Sequence, residues 1–402
     1  MLCLATLAAT VLIVLRRPDV LSNAQFYAED GAIWYADAYN LGGLHALALT
    51  AGGYLNSLQR LVAAFSLLFP LRYAPLVMNV AGIVIQVLPV LFLLSRRGAQ
   101  WGPITFRLWQ AAIYVAIPNA SEVHVVLTNA PFHFALLAFL VAVAAPPSNW
   151  AWKIFDAAIL LICPVSGPFC ILLLPLVLVV WWLRRERWSL IVAAILTPLV
   201  ALQASMLLFK GYAGRAPAEL GATPMLLLRI LAGQIYVGAI HGHNQFAVRA
   251  QPAAILVVLL LGSSVLVYCL WKASLELRLF ISFAWLLFAA SLSKPLISGP
   301  QPLWQLLAGD AGGRYWFFPT LALLWSLLWC AMQQDSRPFR VFGIVALLGA
   351  LNGVVRDWRY APYKDEHFRE QVTRFEAAPA GAVVDIPIFP DGVVVRLIKK
   401  NY

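Results

Sequence analysis

From Ala74 to Val355 the chain is a succession of apolar runs, separated by short clusters of arginine, lysine, glycine and proline. A helix needs roughly 20 mostly apolar residues to cross a hydrocarbon layer, and inside that layer its backbone polar groups must be bonded within the segment. Repeated runs of this kind leave a buried helical core or a membrane bundle. Composition decides: 62% of the residues are hydrophobic and only 12% charged, against roughly 25% charged in a soluble domain. The expectation is an all-α polytopic membrane protein. Its formal net charge of +11 then belongs to topology and lipid contact, not to nucleic acid. Cys3, Cys163, Cys170, Cys269 and Cys330 lie in apolar segments without metal-ligand spacing and read as small core residues. Cys163 and Cys170 flank a predicted outer turn.

Residues 2–15 are apolar and lack a clear A-x-A cleavage site, so they read as an uncleaved first helix, not a signal peptide. In the stretch 44–70, Asn56, Gln59 and Arg60 interrupt the apolar pattern, which fits an amphipathic helix at the interface better than a span. That leaves about eleven spans, near 2–16, 74–95, 104–118, 131–145, 154–164, 168–183, 188–209, 251–271, 279–293, 315–333 and 341–355. With the N-terminus inside, Arg96-Arg97, Lys153, Arg184-Arg185 with Arg187, Lys272 with Arg278, and Arg337 with Arg340 all fall in inner loops, as the positive-inside rule asks. Arg16-Arg17 runs against this orientation. The expected location is the bacterial inner membrane, N-terminus cytoplasmic and C-terminus periplasmic. Residues 1–355 form the transmembrane domain, with 17–73 as an acidic outer loop, and 356–402 form a small outer tail. In the tail, Phe368, Val372 and Phe375 have helical spacing, and residues 382–388 and 393–398 flank a Pro390-Asp391-Gly392 turn, a helix followed by a β-hairpin.

The acidic loop holds Glu29, Asp30 and Asp37 among 18 acids in the whole chain. Ionisable groups beside lipid are costly and mark functional sites by default. Glu29 and Asp30 sit between Phe26-Tyr27 and Trp34-Tyr35, where a partly dry carboxylate acquires a raised pKa suited to general-base work. The alternative is helix capping by the same acids. Adjacent residues point about 100° apart on a helix, so the pair cannot share one direction. Gly31 allows a turn or a close backbone approach, and Asp37 reads as structural or as a partner of Arg60.

Three further clusters lie in outer loops. Glu122, His124, Asn129 and His133 offer donors and acceptors; on a strand Glu122 and His124 would share a face. Gly309-Asp310-Ala311-Gly312-Gly313-Arg314-Tyr315 enters the tenth span through a glycine-rich bend. A helix N-terminus favours an anion and an arginine fork suits phosphate; an interfacial Arg-Tyr-Trp anchor is the competing reading. Lys294 could serve the same anion, and Asp310 could pair with either cation. The loop 210–250 adds Lys210, Arg215, Arg229, His241 and His243, with His243 placed near a sugar or lipid head group. P-loop, G-x-S-x-G, C-x-x-C and dinucleotide fingerprints are absent from the sequence.

Phe26-Tyr27-Ala28-Glu29-Asp30-Gly31 after the first span, Gly53-Tyr54-Leu55 opening the surface helix, and Gly313-Arg314-Tyr315 with Pro319 together resemble the GT-C superfamily of integral-membrane glycosyltransferases. That resemblance implies a many-helix fold, an essential acid in the first outer loop and a polyprenyl-phosphate-linked sugar as donor. It maps Asp30 onto the catalytic acid with Glu29 as rival, and Arg314 onto a donor-phosphate contact; Lys294 and Tyr315 are the further candidates for holding that phosphate. Trp34, Tyr54, Glu122, His124, Asn129 and His243 are the expected substrate contacts, and a glycan or lipid the acceptor. No cofactor is expected; without an Asp-x-Asp motif, dependence on Mg or Mn stays open. A flippase or exporter of lipid-linked glycan, and an O-antigen-type ligase or polymerase, are the alternative functions.

Overall fold

The computed structural model describes residues 2–209, 218–297, 299–309, 311–333 and 335–401; Lys210, Arg215 and Asp310 lie outside the described residues. The apolar segments form helices α1 (Leu2–Arg16), α2 (Ala74–Leu94), α3 (Ile104–Ala116), α4 (Ala130–Val143), α5 (Trp150–Ile162) and α6 (Phe169–Arg184). They continue as α7 (Arg187–Phe209), α8 (Pro252–Lys272), α9 (Leu275–Ser293), α10 (Phe317–Gln333) and α11 (Arg337–Arg356). Seven helical stretches among the described residues are long and apolar enough to cross a membrane by themselves. Shorter apolar helices, α1, α4 and α6 among them, pack between these. The chain is a multi-pass, all-helical membrane protein with a small β-hairpin.

Side-chain bonds fix which loops share an end. At one end, Gln100 and Arg184 each donate to the Val143 carbonyl at 2.7 Å, and Arg184 pairs with Glu276 at 2.6 Å. At the other, Arg16 reaches the Ile117 carbonyl at 3.0 Å, Ser166 accepts from the Leu58 amide at 3.0 Å, and Arg314 joins Glu122. The helices therefore alternate between an Arg97 end and an Asp30 end. α4 is buried on every side, Phe134 to Val143 being at most 3% exposed; an all-round apolar helix belongs at the centre of a bundle. Close helix contacts use small residues: a Cβ on Gly343 of α11 would stand 2.7 Å from the Leu327 carbonyl of α10.

One stretch departs from the expected loop 210–250. Pro224–His241 is helical and apolar enough to span, yet both its ends meet the Asp30 end. Glu219 and Leu220 accept from Leu303 and Trp304 at 2.9 and 3.0 Å, before α10 begins. On the other side the His243 amide donates to Asp357 at 2.9 Å, past the end of α11. A segment that leaves and returns to one end does not cross.

The surface helix of the first loop, Ser57–Ser66, has 10 residues, too few to cross. The tail supplies a helix, Phe368–Ala377, whose Phe368, Val372 and Phe375 are buried, and antiparallel strands Val383–Ile388 and Val393–Ile398. It docks on the first loop. The Ala28 amide donates to Phe389 O at 2.7 Å, and Gln25 donates to the Lys364 carbonyl at 2.8 Å. Gly31 serves this contact: a Cβ there would meet Val395 at 2.5 Å and Ile388 at 2.9 Å. Its close approach is to the tail, where a ligand was an alternative expectation.

Arg16 and Arg17 explain their own position. Arg16 is 1% exposed and donates to the carbonyls of Val115, Ile117, Asp357 and Trp358. Arg17 donates to the Tyr363 hydroxyl and lies 4.3 Å from that ring's centre. The basic pair is a clasp between α1, the loop after α3 and the tail, so it carries no topological weight.

Candidate active site

The chain leaves α1 through Arg16-Arg17, passes Ala28 in the left-handed region (φ 43), and winds as a π-helical turn over Asp30–Tyr35. The adjacent acids separate as helical spacing dictates: Glu29 is exposed and Asp30 is 1% exposed. Asp30 accepts from the Thr128 amide at 2.7 Å and the Leu127 amide at 3.2 Å. Burial pushes its carboxyl up to about 7, hydrogen bonds from Thr128 oppose this, and the Glu29 charge adds to it. The Thr128 hydroxyl also accepts from the Trp34 indole at 2.9 Å. Trp34, 4% exposed and 5.0 Å from the Arg60 guanidinium, is therefore part of the scaffold that holds Thr128, where a sugar contact had been expected. Asp37 pairs with Arg60 at 2.9 Å.

The loop facing Asp30 carries strain. Val125 adopts φ 57 and Asn119 φ 53, costly conformations for side chains with a Cβ, above all a β-branched one. Glu122 lies in a 3-10 turn over Ser121–Val123, which separates it from His124; the shared strand face does not form. Glu122 accepts from the Arg314 amide at 3.0 Å and pairs with its guanidinium. His124 turns inward, 1% exposed, between Gln86 at 3.3 Å and the Ile13 carbonyl at 2.9 Å. Burial, and then the charges of Arg16 and Arg17, hold its imidazole well below the usual range. A neutral, internally bonded ring is scaffold, not a substrate contact. Asn129 is likewise buried and donates to the Glu122 carbonyl at 2.8 Å.

Gly312 (φ 81) turns the chain into Gly313–Trp316 and α10. The anion expected at this helix start is the protein's own Glu122. Arg314 also donates to the Leu296 carbonyl and, at 3.4 Å, to the Tyr315 hydroxyl, which accepts from the Leu296 amide. Two residues before Leu296, Lys294 is exposed at the end of α9. A guanidinium has five N–H donors; this network orients Arg314 and, among the described residues, uses only part of its fork.

Tyr27 links the two halves. Burial pushes its phenol up, Arg314 pulls it down, and Glu29 and Asp30 push it up again. One side chain thus feels the acid pair and the arginine together. Tyr54, half-buried in a two-residue strand pair, and His243, exposed beside Asp357, stand on other loops of the same end. Among the described residues no three His, Cys, Asp or Glu side chains gather as a metal site. The sequence singled out Glu122 as a substrate contact and missed its pairing with Arg314; the partners are 192 positions apart, beyond the reach of any local pattern.

Fold and site together define a polytopic membrane protein with an acid pair and an oriented arginine at one end of its bundle. No family model matches the sequence, and no curated protein does. Among solved structures it is similar to the oligosaccharyltransferase of Archaeoglobus fulgidus, crystallised with a tethered acceptor peptide containing the NVT sequon. The TM-score is 0.48 at 12% identity, and the match covers 94% of this chain and 57% of that one. The chain thus spans little more than half the length of that protein.

Proposed function

We propose that this chain is a GT-C-like membrane glycosyltransferase that moves a sugar from a polyprenyl-phosphate-linked donor to a hydroxyl of a glycan or lipid acceptor, with inversion, at the outer face of the inner membrane. The observation that carries this reading is that the acid pair and the oriented Arg314 stand at the same end of an apolar bundle, close enough that the Tyr27 phenol feels all three charges. Glu29 is the exposed acid and Asp30 the buried one, so we assign the general base to Glu29 and a positioning role to Asp30. The Glu29 carboxylate takes the acceptor hydroxyl's proton, and the freed oxygen attacks the anomeric carbon. The bond from that carbon to the phosphate oxygen breaks, and polyprenyl phosphate leaves with the electron pair. Arg314, with Lys294 near it, offsets the charge growing on the leaving phosphate, the electrostatic part of the rate gain. Both reactants held at one site supply the rest.

Membranes containing wild type, Glu29→Gln or Asp30→Asn, supplied with radiolabelled polyprenyl-phosphate sugars, test the proposal. The expected result is consumption by wild type and strongly reduced consumption by both variants. Equal transfer by all three would overturn it.

A further inference from the structure

A cleft of about 330 Å³ runs between α1 and α2, lined by Thr10, Val14, Val84, Val87 and Leu91 and ending at Leu21. It opens sideways: Val80 is 44% and Val84 52% exposed, and no element of the described chain covers them. Leu21 also lines a second hollow of about 250 Å³, whose polar groups are Arg72, Tyr73 and Arg369. The two share Leu21 as a wall, so an apolar trough and a cationic mouth meet at the Asp30 end. Arg72 is 53% exposed, and its acid partner, Glu376, stands 3.8 Å away; Arg369, on the tail helix, is exposed. Arginine therefore outnumbers acid at the mouth.

We propose that this trough is a binding site for one anionic phospholipid, with an acyl chain along α1 and α2 and the phosphate between Arg72 and Arg369. Charge complementarity selects the head group: a zwitterionic lipid would bring its own cation against two arginines. A free phosphate would leave the trough's apolar walls unserved. From Leu76 to Leu91 the two hollows together line α2 over about 22 Å at 1.5 Å per residue, the length of one acyl chain. Bound there, the lipid joins α1, α2 and the tail helix, the three elements that frame the acidic loop.

The full chain, purified in detergent, is titrated with phosphatidylglycerol, phosphatidylcholine, inorganic phosphate and polyprenyl phosphate, with thermal stability and co-purified lipid as readouts. Phosphatidylglycerol alone is expected to co-purify and to raise the melting temperature. The Arg72→Ala/Arg369→Ala variant is expected to bind it roughly thirtyfold more weakly, the worth of two interfacial cations. Arg72→Lys/Arg369→Lys is expected to restore most of the affinity, which separates lost charge from a damaged fold. Val84→Trp, on the lipid-facing wall, is expected to block the chain and abolish the lipid response. Unchanged phosphatidylglycerol binding in the double alanine variant, an equal response to phosphatidylcholine or to inorganic phosphate, or displacement of the lipid by polyprenyl phosphate would overturn the assignment. None of these readouts depends on sugar transfer.

Discussion

Asp30 and Thr128 close the first loop onto the loop after α3: the carboxylate accepts the Thr128 amide at 2.7 Å, and the Leu127 amide supports it at 3.2 Å. The contact is dry, so burial lifts the carboxyl from 3.8 to about 7. Between those two values the folded chain keeps a proton that the unfolded chain has released. The stabilisation is complete below the lower value and is lost as pH rises through about 7. A shift of this size is worth on the order of 4 kcal/mol. Thermal melts of detergent-solubilised wild type are expected to show stability falling from pH 5 to pH 8, and Asp30→Asn is expected to lack most of that slope. Parallel pH profiles in the two proteins would show that another group sets it.

Glu29 is exposed and, among the described residues, makes no structural bond of comparable weight. Glu29→Gln is expected to reduce sugar transfer by about 10²–10⁴-fold, the usual worth of a general base, while leaving the melting temperature unchanged. Glu29→Asp keeps the charge on a shorter arm and should retain part of the rate. Single-turnover assays on membranes, compared with melting curves of the same preparations, separate this outcome from a folding defect.

Much of the fold could be read from the sequence, because hydrocarbon imposes a local rule: each run must satisfy its own backbone and present apolar atoms outward. The tail could be read for the same reason, Phe368, Val372 and Phe375 repeating at helical spacing and Pro390-Asp391-Gly392 announcing a turn. The sequence kept residues 210–250 together as an outer loop, but did not show that Pro224–His241 within it is an apolar helix, since such a helix carries the same residues as a span. At the site, the split of Glu29 from Asp30 followed from helical geometry alone. What stayed hidden were long-range partners. Arg16 reads locally as a topological signal, but four carbonyls from distant segments surround it. Glu122 looked like a ligand contact until it met Arg314.

Arg314 holds Glu122 and the Leu296 carbonyl at once, a task for a planar fork and not for an ammonium point charge. Arg314→Lys is therefore expected to lose about 10²–10³-fold in transfer, in line with removal of a charge-stabilising donor. The loss should appear more in kcat than in donor KM, because the charge it meets grows as the phosphate leaves. A variant with wild-type kcat would remove Arg314 from the reaction.

Arg16 tests the clasp. Replacing it with Met keeps the volume but leaves the carbonyls of Val115, Ile117 and Asp357 without their donor in a buried setting. Each such loss costs about 1–3 kcal/mol, so at least about 3 kcal/mol is expected, within the roughly 3–5 kcal/mol typical of a broken buried ion pair. The tail should loosen first, because the Tyr360 amide bonds to the Arg16 carbonyl at 2.8 Å and the Tyr360 ring lies 4.5 Å from its guanidinium. Limited proteolysis within 361–401 is expected to accelerate in Arg16→Met relative to wild type.

The short loops at the two ends of the bundle differ in their basic residues, and this fixes the last expectation. Arg97, Lys153, Arg184, Arg187, Lys272 and Arg337 gather at the end opposite Asp30, and the positive-inside rule assigns that end to the cytoplasm. Basic residues stand at the Asp30 end too, but Arg16, Arg17, Arg60 and Arg314 among them are occupied by carbonyls, tyrosines or acids. Alkaline phosphatase fused after Arg187 is expected to be inactive, and fused after Asn401 active. Fusions placed within 218–223 and after Arg249 are both expected to be active, since Pro224–His241 returns to the end it leaves. Activity at only one of that pair would mean the segment crosses the bilayer, and would reverse the side assigned to every helix before it or after it.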